Sequence, residues 1–191
     1  MLPCFVAGKT SKPTPISVIT MNTYLDWLAK QSAITKEWLL ATQYKAEPGN
    51  VRLIPDAKGN VIQVVCCVAD LATLWGVGSL ALTLPEGVYQ FSHAGKHDEQ
   101  YAIAWGLGAY QFTRYRKATR KPAQLLIEEN MLFKIANIVE SIYMVRDLVN
   151  TPTDDMGPTE FADIAKKMAK EFDAKFTQII GDDLLISMLR S

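Results

Sequence analysis

The chain has 191 residues, of which 49% are hydrophobic and 21% are charged, and this composition excludes a disordered or fibrous protein. Lys plus Arg and Asp plus Glu number 20 each, so the chain has no net field that would attract nucleic acid or an acidic membrane. We therefore expect a packed α/β or α+β protein, in which any binding to a polyanion has to be local.

The amino-terminal residues carry no recognisable targeting signal. Their apolar run is too short for a signal peptide, and it is followed by Pro13 and Pro15. No segment reaches the apolar length that spans a bilayer. The sequence therefore predicts a cytoplasmic protein without a membrane partner.

The three cysteines do not have the pattern of a disulfide framework. Cys66 and Cys67 are adjacent in a predicted strand, where successive side chains point to opposite faces, and Cys4 lies far away in sequence. We expect three reduced thiols. Cys66 and Cys67 are also poor candidates for a nucleophile or a metal ligand, because their strand is apolar and no cation or histidine flanks it.

Hydrophobic periodicity predicts a mixed α/β domain in the first two thirds of the chain. β-branched or apolar runs bounded by turn residues predict strands, and apolar residues at helical spacing predict helices. The predicted strands are residues 16–21, 51–55, 61–70, 88–93 and 123–129. The predicted helices are residues 23–31, 35–46, part of 71–87, and 98–117. The helix at 98–117 is apolar on nearly every face, so we expect it to be buried, with Ala104, Gly106 and Gly108 permitting close approach of a neighbour.

A long helix follows at residues 129–150, with one apolar stripe, and it has to end before Pro152, which lacks an N–H group. The predicted members of the stripe are Met131, Ile135, Ile138, Ile142, Val145 and Val149. Pro158 then suits the first turn of another helix, residues 175–180 predict a strand, and a last helix is predicted at residues 184–190.

These elements predict an α/β chain in three parts. A mixed-sheet domain with flanking helices occupies residues 1–127, a linker helix occupies residues 128–150, and the incomplete start of a second α/β domain occupies residues 151–191. A lone strand in the last part would lack partners for its backbone groups, so either it joins the sheet of the first domain or its partners are missing. In the second case we expect the chain to be the front part of a longer protein.

Two histidines suggest a metal site only weakly. His93 and His97 are four residues apart, with Asp98 and Glu99 beside them, which on a helix would place two imidazoles on one face. Gly95 lies between them, however, and no Glu follows His93 as the zinc protease motif requires. The pattern favours a solvated turn.

A basic stretch with interleaved aromatic residues has two interpretations. Its cations and rings could contact the phosphates and bases of RNA. Cations also stabilise the carboxyl end of a helix, and the net charge is zero, so the sequence favours this structural interpretation and no nucleic acid is expected. The members are Tyr110, Phe112, Arg114, Tyr115, Arg116, Lys117, Arg120 and Lys121.

The remaining candidates are also better explained by structure than by chemistry. The acid pairs at residues 154–155 and 182–183 precede predicted helices, where carboxylates cap the first turn, although paired carboxylates can also hold divalent metals. Gly106 and Gly108 lack the spacing of a phosphate-binding loop and lie in a predicted helix interior. We assign no catalytic, metal-binding or cofactor-binding residue.

One segment nevertheless resembles a known family. Residues 146–161, RDLVNTPTDDMGPTEF, resemble the segment that opens the catalytic domain of the leucyl aminopeptidase (cytosol aminopeptidase) family. Residues 102–117 and 84–91 resemble the last buried helix of that family's amino-terminal domain and the strand before it. The resemblance extends from about Gly49 to the end and weakens towards Met1.

The resemblance implies two α/β domains, hexameric assembly, and removal of amino-terminal residues from peptides at a site that holds two divalent metals, commonly zinc or manganese. The family's lysine, aspartate and glutamate ligands lie in glycine-rich motifs that do not occur in these 191 residues. The resemblance therefore implies that this chain lacks peptidase activity and serves assembly or positioning. The alternative is a stand-alone α/β module that binds a small phosphorylated ligand, RNA or a partner protein.

Overall fold

A computed structural model describes residues 2–8, 12–92 and 95–184. The chain forms two compact units, residues 1–145 and 146–191. The strands are β1 (Phe5–Ala7), β2 (Thr14–Ile19), β3 (Val51–Pro55), β4 (Val61–Cys67), β5 (Val88–Ser92) and β6 (Gln124–Ile127). The α-helices are α1 (Tyr24–Ala29), α2 (Ala33–Ala41), α3 (Leu80–Thr83), α4 (Asp98–Gly108), α5 (Glu129–Asn150) and α6 (Pro158–Glu171).

The first unit is built on one six-stranded sheet in the order β1-β6-β5-β2-β4-β3. Five strands are parallel, and β3 pairs with β4 in the antiparallel direction across a turn that contains Asp, Gly and Asn. Asp56 fixes that turn, because its carboxylate accepts hydrogen bonds from the N–H groups of Lys58 and Asn60. The mixed α/β fold predicted from the sequence is confirmed.

The two faces of β4 lie in two separate cores, as its continuous apolar sequence predicts. Val64 and Cys66 belong to the larger core beneath α4, whereas Val65 and Cys67 belong to the smaller core with Leu39 of α2. The predicted opposite orientation of the two cysteines is therefore confirmed. All three cysteines are free and buried.

Helix α4 is the buried element of the larger core. Tyr101 and Trp105 are almost inaccessible to solvent, and burial of side chains of this size stabilises the fold by about 2 to 3 kcal/mol each. The predicted close approach is confirmed, because a Cβ atom at Gly106 would stand 2.7 Å from Val139 of α5. The Tyr143 hydroxyl donates a hydrogen bond to the Gly106 carbonyl from the same side.

The second unit contains the end of α5 and helix α6. Asn150 is the last residue of α5, as Pro152 requires, and the Thr151 hydroxyl donates to the Asp147 carbonyl at 2.7 Å. Pro158 is the first residue of α6, as predicted, and Gly157 caps it. Phe161 and Phe172, at the two ends of this helix, are 57% and 72% exposed, and none of the helix residues is buried.

Several sequence predictions were wrong in detail. The helix predicted at 98–117 ends at Gly108, and residues 175–180 form no strand. Strand β1 was not predicted, because three residues are too few to show alternation; each of its residues pairs with one residue of β6, beginning with Phe5 and Leu125. In the stripe of α5 the buried residues are Ile135 and Val139 rather than Ile138, and Val145 and Val149 are exposed. Most of the helix predicted at 184–190 lies outside the described residues.

Candidate functional site

A small cleft of about 170 Å³ lies where β5 and β6 end. Two acids, Asp98 and Glu128, line it together with apolar side chains. Burial and the nearby Glu128 carboxylate raise the pKa of the Asp98 carboxyl, and His97 partly opposes this shift. The lining residues are Gln90, Phe91, Gly95, Asp98, Leu125, Leu126, Ile127, Glu128 and Met131. The sequence did not indicate this cleft, since its residues come from elements far apart in the chain.

Of the predicted histidine pair, the structure describes only His97. His93 lies outside the described residues. His97 stands at the amino end of α4, where its ring stacks on Tyr101 at 5.8 Å between centroids and its Nδ1 lies 3.1 Å from the Gln100 side-chain oxygen. His97 thus has neighbours within its own helix.

A wider groove of about 750 Å³ runs between α1 and the sheet. Three polar side chains form a chain across it, in which the Gln63 amide donates to the Ser17 hydroxyl and to the Gln31 side-chain oxygen, each at 3.2 Å. Trp27 and Lys30 line one wall. These polar groups hydrogen-bond to one another, and the charged side chains that line the groove are Asp26 and Lys30.

The basic stretch is not the end of a helix. Because α4 ends at Gly108, Arg114, Arg116 and Lys117 lie in an exposed loop that leads to β6. The Gln111 side chain closes this loop, since it donates to the Arg120 carbonyl at 2.8 Å and accepts from the Thr119 N–H at 2.9 Å. The role of Gln111 was not predicted, because a glutamine in a loop has no sequence signature.

The predicted capping role of Asp154 and Asp155 is wrong. Both residues lie in a short 3₁₀ turn before α6, and the N-cap is Gly157, whose N–H donates to the Glu160 carboxylate at 3.0 Å. Of the second acid pair, Asp182 stands in a turn and Asp183 begins a helical segment.

Burial raises the pKa of each of the three cysteine thiols. It raises the pKa of the Cys4 thiol to about 12, against a weaker opposing backbone hydrogen bond. Burial, together with the neighbouring Cys67, likewise raises the pKa of Cys66 to about 12. Neither thiol forms the thiolate that nucleophilic or metal-binding chemistry requires near neutral pH.

The described part of the chain does not assemble a metal centre. Within it, no group of three or more His, Cys, Asp or Glu side chains is placed to hold a metal ion, so the residues present do not fit the two-metal site implied by the resemblance. Among the same residues, no helix is long and apolar enough to cross a membrane.

Comparison with known proteins gives consistent matches. The family model of the M17 aminopeptidase N-terminal domain matches residues 14–128. The probable cytosol aminopeptidase of Chlamydia caviae is 40% identical over 60 residues, which are 31% of this chain and 12% of that protein. The crystal structure of the cytosol aminopeptidase from Coxiella burnetii aligns with a TM-score of 0.88 and 34% identity, over 95% of this chain and 40% of that chain.

A more distant structure has the same fold. The bottromycin maturation enzyme BotP in complex with Mn aligns with a TM-score of 0.58 and 19% identity, over 84% of this chain and 37% of that chain. In each comparison this chain spans less than half of the relative's length. The matched residues 14–128 begin at the first residue of β2 and end one residue after β6, so they contain all of the sheet except β1. The chain therefore belongs to the M17 aminopeptidase family, whose N-terminal domain its first unit represents.

Proposed function

We propose that this chain is the N-terminal portion of a metal-dependent aminopeptidase that removes amino-terminal residues from peptides in the cytosol. The observation that carries the proposal is the family match over residues 14–128, together with the 34% identity to the Coxiella cytosol aminopeptidase. The family match does not favour the alternative of a stand-alone binding module.

In this proposal the chemistry belongs to a part of the enzyme that these residues do not include. Divalent metal chemistry, with manganese or zinc, would belong to that part of the enzyme. The Mn bound in the BotP complex supports this choice of metal by analogy. We derive no catalytic step for the residues of this chain.

The proposed role of this chain is assembly and positioning in a homohexamer. Two structural features support this role. The buried α4 packs on α5 through Gly106 and Tyr143, so α5 is fixed to the sheet domain as far as Tyr143. The exposed Phe161 and Phe172 of the α6 segment offer apolar surface to further residues of the enzyme.

Immunodepletion from the native cells tests the proposal. Antibodies raised against this chain should remove aminopeptidase activity on a leucine chromogenic substrate from a cell extract, and the captured activity should be lost with a chelator and restored by Mn²⁺ or Zn²⁺. Pre-immune serum is the control. The captured product should have a mass well above 21.3 kDa. The isolated 191-residue chain should be inactive with either metal.

Two results would contradict the proposal. A captured product of 21.3 kDa without activity would mean that the cell makes this domain alone. Chelator-sensitive turnover by the isolated chain would mean that metal ligands are present within these residues.

A further inference from the structure

The loop between α4 and β6 concentrates positive charge. No Asp or Glu occurs between Glu99 and Glu128, whereas five cations do. Removing these five from the total of 20 leaves 15 cations against 20 acids in the rest of the chain. The cations are Arg114, Arg116, Lys117, Arg120 and Lys121. At physiological ionic strength the Debye length is about 8 Å, so a field this local is felt only by a partner that touches the loop.

The structure removes the explanation that the sequence favoured for these cations. Lys and Arg in the last turn of a helix stabilise its dipole. Helix α4 ends at Gly108, six residues before Arg114, and has no basic residue in its last turn. The dipole effect falls off within one turn, so it does not account for cations at this distance.

Side-chain hydrogen bonds connect the two ends of the loop. The Gln111 side chain bonds to the Arg120 carbonyl and to both the N–H and the hydroxyl of Thr119, at 2.8, 2.9 and 2.8 Å. Arg120 itself donates to the Leu84 carbonyl at 2.7 Å, which anchors the loop next to α3. A loop fixed in this way loses less conformational entropy when it binds a partner. Arg120 is therefore structural, and the other four cations are exposed.

An exposed aromatic side chain stands among the cations. Tyr115 is 53% exposed, and its ring packs edge-on against Phe112 with 5.7 Å between centroids. The Arg114 guanidinium lies 5.7 Å from the same ring. The Tyr115 ring is thus supported from within the loop and still presents surface to the solvent.

From this arrangement we infer that the loop is a contact site for single-stranded RNA, in addition to the proposed role in an aminopeptidase. Arg116, Lys117 and Lys121 suit the phosphates, and Tyr115 suits an unstacked base. A duplex keeps its bases stacked and would use the cations alone. An acidic protein segment would likewise make no specific use of an exposed ring beside the cations.

Fluorescence anisotropy with a labelled oligouridylate tests the inference, with the 191-residue chain titrated between about 50 and 200 mM KCl. The triple variant Arg116→Gln, Lys117→Gln, Lys121→Gln should reduce the slope of log Kobs against log salt by about 2, because each single-strand phosphate contact contributes about 0.7. The variant Tyr115→Ala should weaken binding at least about fivefold, the lower limit of the stacking contribution, and leave the slope unchanged.

Matched variants distinguish an effect of the loop from a general effect of positive charge on the protein surface. Lys166→Gln, Lys167→Gln, Lys170→Gln removes three exposed cations from α6 and should leave affinity and slope unchanged. Tyr115→Phe keeps the ring and should bind like the original chain. Circular dichroism of each variant checks that the fold is intact, and since all these positions are exposed, folding should be unaffected.

Several results would overturn the inference. These are the absence of saturable binding at the lowest salt, an equal loss in the loop and α6 triple variants, or full affinity in Tyr115→Ala. Binding of polyglutamate with the same loop dependence would assign the loop to an acidic protein partner instead. Equal binding of a duplex would remove the base contact. None of these results bears on the aminopeptidase activity, which is measured separately.

Discussion

Gly108 and Gly78 meet so closely that a Cβ atom at Gly108 would stand 1.8 Å from the Gly78 carbonyl oxygen. The contact joins the end of α4 to the turn after residues 74–77, and the atom met is backbone, which cannot rotate away. The larger core depends on this approach, because Leu80, Ala81 and Leu84 follow shortly after Gly78 and belong to it. Only glycine at position 108 permits the arrangement.

Replacing Gly108 by alanine should therefore destabilise the first unit strongly. We expect a loss of about 3 kcal/mol in the free energy of unfolding, the upper range for overpacking a core. Urea denaturation followed by tryptophan fluorescence measures it. Gly87→Ala is the matched control, because its Cβ would make only an ordinary 3.4 Å contact with Tyr89. A loss at Gly108 no larger than that at Gly87 would contradict the packing described.

The buried thiols make stability sensitive to alkaline pH. Well below pH 9 the thiols of Cys4 and Cys66 are protonated whether the chain is folded or unfolded. Above their ordinary pKa of 9.0 the unfolded thiols ionise, whereas in the folded chain burial raises both pKa values to about 12. The unfolded state then binds fewer protons than the folded state, so stability falls as the pH rises from 9 to 12.

The measurement is the urea midpoint at a series of pH values between about 8 and about 11, which brackets the ionisation of the unfolded thiols. The double variant Cys4→Ala, Cys66→Ala should start from a lower midpoint, because two buried side chains are shortened, but should lose less stability with pH. Its remaining pH dependence should come from Cys67, whose pKa burial also raises, and from buried tyrosines, of which Tyr101 has a pKa raised by burial to about 12. Parallel pH curves for the two proteins would refute the proposed thiol contribution.

The sequence was sufficient to predict those helices and strands that are determined by their own residues. The alternation in β2, the apolar run of β4, and the Pro152 stop after α5 each depend on local chemistry, and all three were predicted. The strand bounds differ, since β2 spans Thr14–Ile19 rather than 16–21 and β4 ends at Cys67 rather than at residue 70. Residues 175–180 show the limit, since their apolar residues favour a strand and no neighbouring described strand pairs with them. The hydrogen bonds of the Gln111 side chain could not be predicted either, because its partners lie eight or nine residues away within an irregular loop.

The edge of the sheet at β3 is protected by a tryptophan. The indole N–H of Trp38 on α2 donates to the Leu53 carbonyl of β3 at 2.9 Å, which occupies an edge acceptor. Trp38→Phe should lower the free energy of unfolding by about 1 kcal/mol, the net value of one hydrogen bond. Leu40→Ala, on the same helix and 80% exposed, should change it by less than about 0.5 kcal/mol. Equal effects would show that the indole contact adds nothing.

The apolar face of the α6 segment should make the isolated chain associate with itself. Phe161 and Phe172 are 57% and 72% exposed, and each ring can bury about 150 Å² or more in a contact. Apolar surface of this kind marks an interaction site. We expect sedimentation velocity to show association that increases with concentration.

The double variant Phe161→Ser, Phe172→Ser should reduce this association, while circular dichroism should show that helix α6 persists. Phe133→Ser on α5 is the matched control, because Phe133 is 77% exposed but belongs to the first unit. If the first unit alone directs assembly, the double variant will leave association unchanged or the control will reduce it equally. Unchanged association would exclude the apolar face of α6 as the contact, and an equal reduction by the control would show that the effect is not specific to this face.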